Sequence, residues 1–150
     1  MHPDLLSVIE VFRRDQDMAV AILRDRLGVS PPTSNLEWAK SLNCHELAER
    51  GWEAGIKVRS HGFGIEIKLH GLSIDFDWGA NGEANGFDAW RLWNHCRENR
   101  VFLDRVSDDL LRAYLKQAHE ALELVKDGSL YYLPQERPRR TQESAETADP

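Results

Sequence analysis

Two alternating apolar segments, joined by two residues, constrain the fold more than any other part of this chain. Apolar side chains occupy every second position of residues 63–69 and again of residues 72–78, with His70 and Gly71 between them. A period of two is typical of strands that bury one face. A two-residue connection that contains glycine is typical of a tight hairpin turn. We therefore predict an antiparallel hairpin over 63–78 whose apolar row faces the core.

The length of the turn also predicts the register of this hairpin. The polar face would pair Glu66 with Asp75, and the apolar face would pair Ile67 with Ile74. A slip of one residue would turn the whole apolar row towards water, so we expect the pairing to be well specified. The predicted apolar pairs are Leu69 with Leu72, Ile67 with Ile74, Ile65 with Phe76, and Phe63 with Trp78.

Segments with helical periodicity flank the hairpin on both sides. Apolar residues recur at helical spacing over 4–27 and 107–127, and an aromatic stripe runs along 86–99. We expect this stripe to cover the apolar face of the hairpin, because such a face needs a partner. With a weak third strand signal at 54–59, the sequence predicts an α+β fold, a short antiparallel sheet of two or three strands packed against these helices. The aromatic stripe consists of Phe87, Trp90, Trp93 and Cys96.

Cap residues and composition set the predicted boundaries. We place the N-cap of the aromatic helix at Asn85 and the end of the last helix at Gly128. A length of 150 residues suggests one domain, which we place at 1–134. Residues 135–150 hold no large apolar side chain, so we predict a disordered C-terminal tail there.

Charge and composition exclude several classes of protein. The net charge of −6 argues against a nucleic-acid binder, which needs a basic face to follow the phosphates. No stretch approaches the roughly 18 apolar residues of a membrane span. The two cysteines, Cys44 and Cys96, lack metal-ligand spacing and fit a reducing compartment. We therefore predict a cytoplasmic protein that binds neither nucleic acid nor membrane.

An acidic cluster is the main candidate for a functional site. Glu66, Asp75 and Asp77 share the polar face of the predicted hairpin, and Glu83 lies in the loop after it. Clustered charge steers association and selects partners, so these residues predict a surface that binds a cationic protein partner. The competing interpretation is an ordinary solvated sheet face, which needs no partner.

The loop after the hairpin also contains a partial calcium pattern. Asp77, Asn81, Glu83 and Asp88 fall at ligand positions of a calcium loop. However, Gly79 occupies another ligand position, and the last position holds aspartate instead of a bidentate glutamate. We therefore predict no metal site and no cofactor, and these four residues remain weak metal candidates.

A catalytic alternative rests on one histidine. His61 with Asp75 or Asp77 would form an acid–base set, as in a small hydrolase, or a metal-binding domain, if the fold brings them together. No spacing in the sequence demands this arrangement. We therefore assign no catalytic residue, and the sequence favours a protein that is not an enzyme.

Three motifs together resemble a small bacterial domain family of unknown function. They are HGFG at 61–64, IDFDWG at 74–79 and GFDAWRL at 86–92. The likeness extends back through LEWA at 36–39, so it covers about residues 30–100. Small acidic bacterial domains of this kind resemble immunity proteins. The resemblance therefore implies a non-enzymatic binding protein that neutralises a toxin, with a basic toxin domain as partner, by occluding it. The remaining alternative is a structural or regulatory homo-oligomer built on helix 4–27.

Overall fold

The computed structural model describes residues 1–28, 44–61, 64–69, 71–77 and 86–136. Within these ranges, helices pack against one face and one edge of a three-stranded antiparallel sheet, and a second sheet has two strands. The predicted α+β class is therefore confirmed. In chain order the elements are α1 (Pro3–Leu27), α2 (Cys44–Glu53), β1 (Lys57–His61), β2 (Gly64–Leu69), β3 (Leu72–Asp77), α3 (Ala89–Asn99), α4 (Asp108–Glu120), β4 (Val125–Asp127), β5 (Leu130–Tyr132) and a 3₁₀ helix (Pro134–Glu136).

The larger sheet contains the predicted hairpin in the predicted register. β2 pairs with β3, and β1 pairs with the other side of β2. The weak strand signal at 54–59 overlaps β1 only over residues 57–59. Ile67 pairs with Ile74, and Glu66 with Asp75, as expected from the two-residue turn. Gly71 has a φ of 80°, a conformation that glycine adopts without strain. The predicted pair of Phe63 with Trp78 lies outside the described residues.

The helices begin and end at recognisable caps, and two of these differ from the prediction. The side chain of Asp88, not Asn85, caps α3 by accepting a hydrogen bond from the backbone N–H of Arg91. The last helix ends at Glu120 because Leu122 has a φ of 60°, outside the helical region. Gly128 lies instead in the two-residue turn between β4 and β5.

Two apolar clusters pack against different halves of α1. The C-terminal half faces the sheet and α2, and we call this cluster the sheet core. The N-terminal half faces α3 and α4, and we call that cluster the helical core. The sheet core includes Ala19, Val20, Leu23, Leu47, Ile67, Ile74 and Phe76. The helical core includes Leu5, Ile9, Phe12, Phe87, Leu92, Cys96, Leu111 and Leu115.

The aromatic helix therefore does not cover the apolar face of the hairpin, and that prediction is wrong. Positions three apart drift by about 60° per step around a helix of 3.6 residues per turn, so the stripe does not keep to one side. Leu92 and Cys96 are buried in the helical core, whereas Trp90 is 54% exposed. Since α1 and α2 already cover the apolar face of the sheet, α3 lies beside the edge strand β3.

The β4–β5 hairpin joins the C-terminal part of the fold to the start of α3. Phe87 and Tyr131 exchange two backbone hydrogen bonds, with N···O distances of 3.1 and 2.7 Å. The chain passes so closely that a Cβ on Gly86 would lie 2.7 Å from the Cβ of Leu130. Position 86 therefore requires glycine.

The chain after β5 is anchored for a short distance. Arg13 of α1 donates two hydrogen bonds of 2.8 Å to the carboxylate of Glu136 in the 3₁₀ helix. Residues 135 and 136, the first of the predicted tail, thus belong to this helix. Residues 137–150 lie outside the described residues, so disorder there stays a prediction.

Candidate functional site

The structure describes the side chains of Glu66 and Asp75 among the acids that we predicted to bind a partner. Glu66 is partly buried, and one of its carboxylate oxygens lies 3.5 Å from Nζ of Lys68. Asp75 is partly buried, and its Oδ2 accepts a hydrogen bond of 3.2 Å from Nδ2 of Asn94. Asp77 lies at the end of β3, with its side chain outside the described part, and Glu83 is outside it altogether. The binding role of this set stays a prediction.

Basic side chains accompany these acids on the polar face of the sheet. Lys57, Arg59 and Lys68 are exposed there, whereas the described carboxylates are partly buried. The register places Arg59 opposite Glu66, and Lys57 opposite Lys68. The described part of this face is therefore mixed in charge, with cations around half-buried carboxylates.

A chain of contacts links Asp75 to an exposed tryptophan. Asn94 contacts Asp75 through its Nδ2, and its Oδ1 accepts a hydrogen bond of 2.8 Å from Arg97. The guanidinium carbon of Arg97 lies 5.5 Å from the ring centroid of Trp90. We call Asp75, Trp90, Asn94 and Arg97 the α3 surface. The three helical members recur at spacings of four and three, so they lie along one side of α3.

The contacts within the α3 surface hold its long side chains in place. An exposed cation–π contact contributes about 0.5–1 kcal/mol, and Asn94 adds a hydrogen bond to the same guanidinium. Fixing Arg97 in the free protein lowers the entropy that a partner must overcome on binding. Tryptophan and arginine are also the residue types that most often dominate the binding energy of interfaces.

Behind this surface lies a buried polar junction that sequence reasoning did not predict. His95 is 1% exposed, and its Nε2 lies 2.8 Å from Oδ2 of Asp15 on α1. Nδ2 of Asn99 lies 3.2 Å from His95 Nδ1. Because a carboxylate accepts hydrogen bonds, the Nε2–H of His95 donates to Asp15. The Phe12 ring, 5.2 Å from the imidazole, shields the pair, which therefore ties helices together instead of meeting a substrate.

The same junction supplies hydrogen-bond partners to the free edge of β3. Asn99 accepts from the backbone N–H of Ser73 at 2.8 Å and donates to the Ser73 carbonyl at 2.9 Å. Two residues further along β3, the carbonyl of Asp75 accepts a hydrogen bond of 2.7 Å from Nε2 of Gln16. Two side-chain amides thus take the place of a neighbouring strand. The one local signal in the sequence was Gln16, which interrupts the apolar pattern of α1.

The register of the sheet gives the backbone positions of His61, Asp75 and Asp77, the residues of the catalytic alternative. The register places His61 opposite Gly64 and Gly64 opposite Asp77, so the three residues share one row across the sheet. Asp75 lies two rows away, with Arg59 and Glu66. The side chains of His61 and Asp77 are outside the described part, so their chemistry stays a prediction.

The metal and thiol candidates are placed as follows. Asn81 and Glu83 lie outside the described residues, and Asp88 caps α3 and binds the guanidinium of Arg91. Within the described ranges, no group of three or more metal-binding side chains comes together. Burial raises the pKa of the Cys96 thiol to about 11, which suppresses the nucleophilic thiolate.

Comparison with known proteins identifies one family. The described helices include none with the length and apolar content to cross a membrane. No curated protein matches the sequence, and no solved structure matches it. The model of a domain of unknown function, DUF6896, matches residues 5–133, from the first turn of α1 to the residue after β5. This match is wider than the residues on which the motif resemblance rests, and the chain belongs to the DUF6896 family.

Proposed function

We propose that this protein is a non-enzymatic binding protein that neutralises a toxin by occluding it, and that the α3 surface is its contact. The observation that carries the proposal is Trp90, a large aromatic side chain that is 54% exposed and stacked with Arg97. Neither the helical core nor the sheet core uses this ring. Its position beside a fixed guanidinium suits the centre of a protein interface.

The charges of the α3 surface suit a partner with both basic and acidic groups at its contact. The half-buried carboxylate of Asp75 would meet a cation of the toxin domain, and the exposed guanidinium of Arg97 would meet an acid. Charged groups in fixed positions set the register of an interface and exclude wrong partners. The overall charge of −6 adds long-range attraction to a basic toxin domain.

Toxin neutralisation is the part of this proposal that rests on resemblance. Small acidic bacterial domains of this general kind resemble immunity proteins, which act by covering a surface of their toxin, and this analogy is the support for that part. Occlusion requires affinity and shape, and no bond needs to form or break. The rigid helical core behind Trp90 gives such a surface the preorganisation that tight binding requires.

A growth assay tests the proposal directly. The proposal predicts that a toxin gene lies beside the gene of this protein. The domain that this neighbouring gene encodes is expressed in a susceptible bacterium, with and without the full chain. The protein should restore growth, and Trp90→Ala or Arg97→Ala should abolish the rescue. In calorimetry with the purified domain, each substitution should weaken binding by about 30-fold or more, the loss of a hot-spot residue.

The matched control is Trp52→Ala. Trp52 is also exposed, at 71%, but it lies on α2. It should keep the wild-type affinity and the rescue of growth. Equal losses in Trp52→Ala and Trp90→Ala, or no rescue by the wild-type chain, would contradict the proposal.

The role of Asp75 needs a different substitution. Asp75→Asn removes the charge but keeps an acceptor for Asn94, so the fold should persist. If the carboxylate meets a cation of the toxin, binding should weaken and become less sensitive to salt. An affinity and a salt dependence equal to those of the wild type would remove Asp75 from the contact.

A further inference from the structure

A cavity of about 290 Å³ lies beside Trp90, between α3, α4 and the β4–β5 hairpin. Its volume is close to the lower limit of small-molecule sites, about 300 Å³, and suits one compact group. Leu115 and Ala89, both buried, form apolar parts of its lining, and Trp90 and Tyr131 provide aromatic surface. The polar lining consists of Asp88, Arg112, Lys126 and Ser129.

The charges at this cavity leave one cation without a carboxylate. Asp88 binds Arg91, and Arg112 donates a hydrogen bond of 2.9 Å to Asp108, which raises the pKa of the guanidinium further. Lys126 contacts the ring of Tyr131, 5.4 Å from Nζ to the centroid. No carboxylate of the described residues pairs with this ammonium group. An anionic ligand would therefore meet an available positive charge beside an aromatic wall.

We propose that this cavity binds a carboxylate attached to a flat apolar group. Lys126 holds the carboxylate, with the hydroxyl of Ser129 as a further donor, and the apolar group lies against Trp90, Tyr131 and Leu115. Aromatic side chains and a few placed polar groups are the usual lining of such sites. The inference does not depend on the toxin partner, although Trp90 borders both surfaces.

Two sources supply this chemistry, a free aromatic acid and the C-terminal aromatic residue of a polypeptide. The probes are phenylacetate for the first and N-acetyl-glycyl-phenylalanine for the second. Each is compared with its neutral amide, which has the same shape without the charge. The full chain is titrated with each probe, and NMR follows the indole N–H of Trp90 and the backbone N–H of Lys126.

Both acids should bind at the cavity about tenfold more tightly than their amides, because the amide can still accept a hydrogen bond from Lys126 but no longer forms an ion pair with it. A dipeptide that binds much more tightly than phenylacetate identifies a polypeptide terminus as the ligand. Similar affinities, or tighter binding of phenylacetate, identify a free acid. Both results support the carboxylate site.

Lys126→Gln is the decisive variant, and Lys116→Gln is its control. Both lysines are exposed, but Lys116 lies on α4 and does not line the cavity. Lys126→Gln should bind acid and amide equally, and Lys116→Gln should behave like the wild type. The proposal is overturned if acids and amides bind alike in the wild type, if Lys126→Gln keeps the preference, or if neither acid shifts the Trp90 signal at its solubility limit.

Discussion

The two sides of α3 use similar residue types for opposite purposes. On the inner side, His95 forms a buried hydrogen bond with α1, and Asn99 forms partly buried hydrogen bonds with β3. On the outer side, Asn94 and Arg97 bond to one another and leave a guanidinium and an indole exposed. The comparison separates the contacts that support the fold from the surface that we propose for recognition, on two sides of one helix. Substitutions on the inner side of α3 should lower the free energy of unfolding, and substitutions on the outer side should weaken binding.

The largest expected effect comes from Asp15 on the inner side. Asp15→Ala leaves the Nε2–H of His95 buried without an acceptor and should lower the free energy of unfolding by about 3 kcal/mol. Asp17→Ala removes an exposed carboxylate of the same helix and should change it by less than about 0.5 kcal/mol. Urea denaturation measures both. Equal values for the two variants would remove the distinction between the sides.

The next effect concerns the edge of β3. Asn99→Ala removes both hydrogen bonds to the backbone of Ser73 and should lower the free energy of unfolding by about 2 kcal/mol. Hydrogen exchange of the Ser73 N–H should accelerate. Glu98→Ala, one residue earlier on the exposed side, should leave that exchange unchanged. Slow exchange at Ser73 in Asn99→Ala would mean that the amide does not protect the strand.

A smaller inner-side effect depends on pH. Burial raises the pKa of Cys96 from the ordinary 9.0 to about 11, so the folded state disfavours the thiolate. This preference stabilises the fold fully below pH 9 and is lost as the pH rises towards 11, with a loss of about 1 kcal/mol by pH 10. Cys96→Ala should show a flatter decline of stability over this window. Parallel declines in both proteins would contradict the assignment.

The smallest effect on stability belongs to the outer side. Arg97→Ala removes one hydrogen bond and an exposed cation–π contact, so the free energy of unfolding should fall by only about 0.5–1 kcal/mol. The same variant should lose most of its affinity for the toxin. A loss of stability as large as that of Asp15→Ala would show that this side also supports the fold.

The sequence predicted the structural features that depend on residues close together in the chain. A period of two and a two-residue turn determine the pairing of Ile67 with Ile74, because any other register exposes the apolar row. Which element α3 packs against depends on the rotation of the helix about its own axis. Phe87 and Trp90 are three residues apart, and this spacing resembles a single stripe although the side chains move around the helix. Leu122, with its positive φ, ends α4 without glycine, so the sequence carried no signal for that boundary.

The site was predictable only in part, for the same reason. Asp75 could be placed on the polar face from alternation alone. The contact between His95 and Asp15 joins positions that are 80 residues apart, and no local pattern reports such a distance. Trp90 matched a buried stripe by spacing, and only the packing of α1 against the sheet leaves it outside.

The amides of Asn99 and Gln16 have a further consequence, which concerns aggregation of the protein. A bare strand edge invites another chain to add itself, and repeated addition leads to fibrils. Here a strand of another chain that added to β3 would first have to displace α1 and α3. These two helices are joined by the buried contact between Asp15 and His95. The protein can therefore expose the indole of Trp90 on one side of α3 without polymerising through β3.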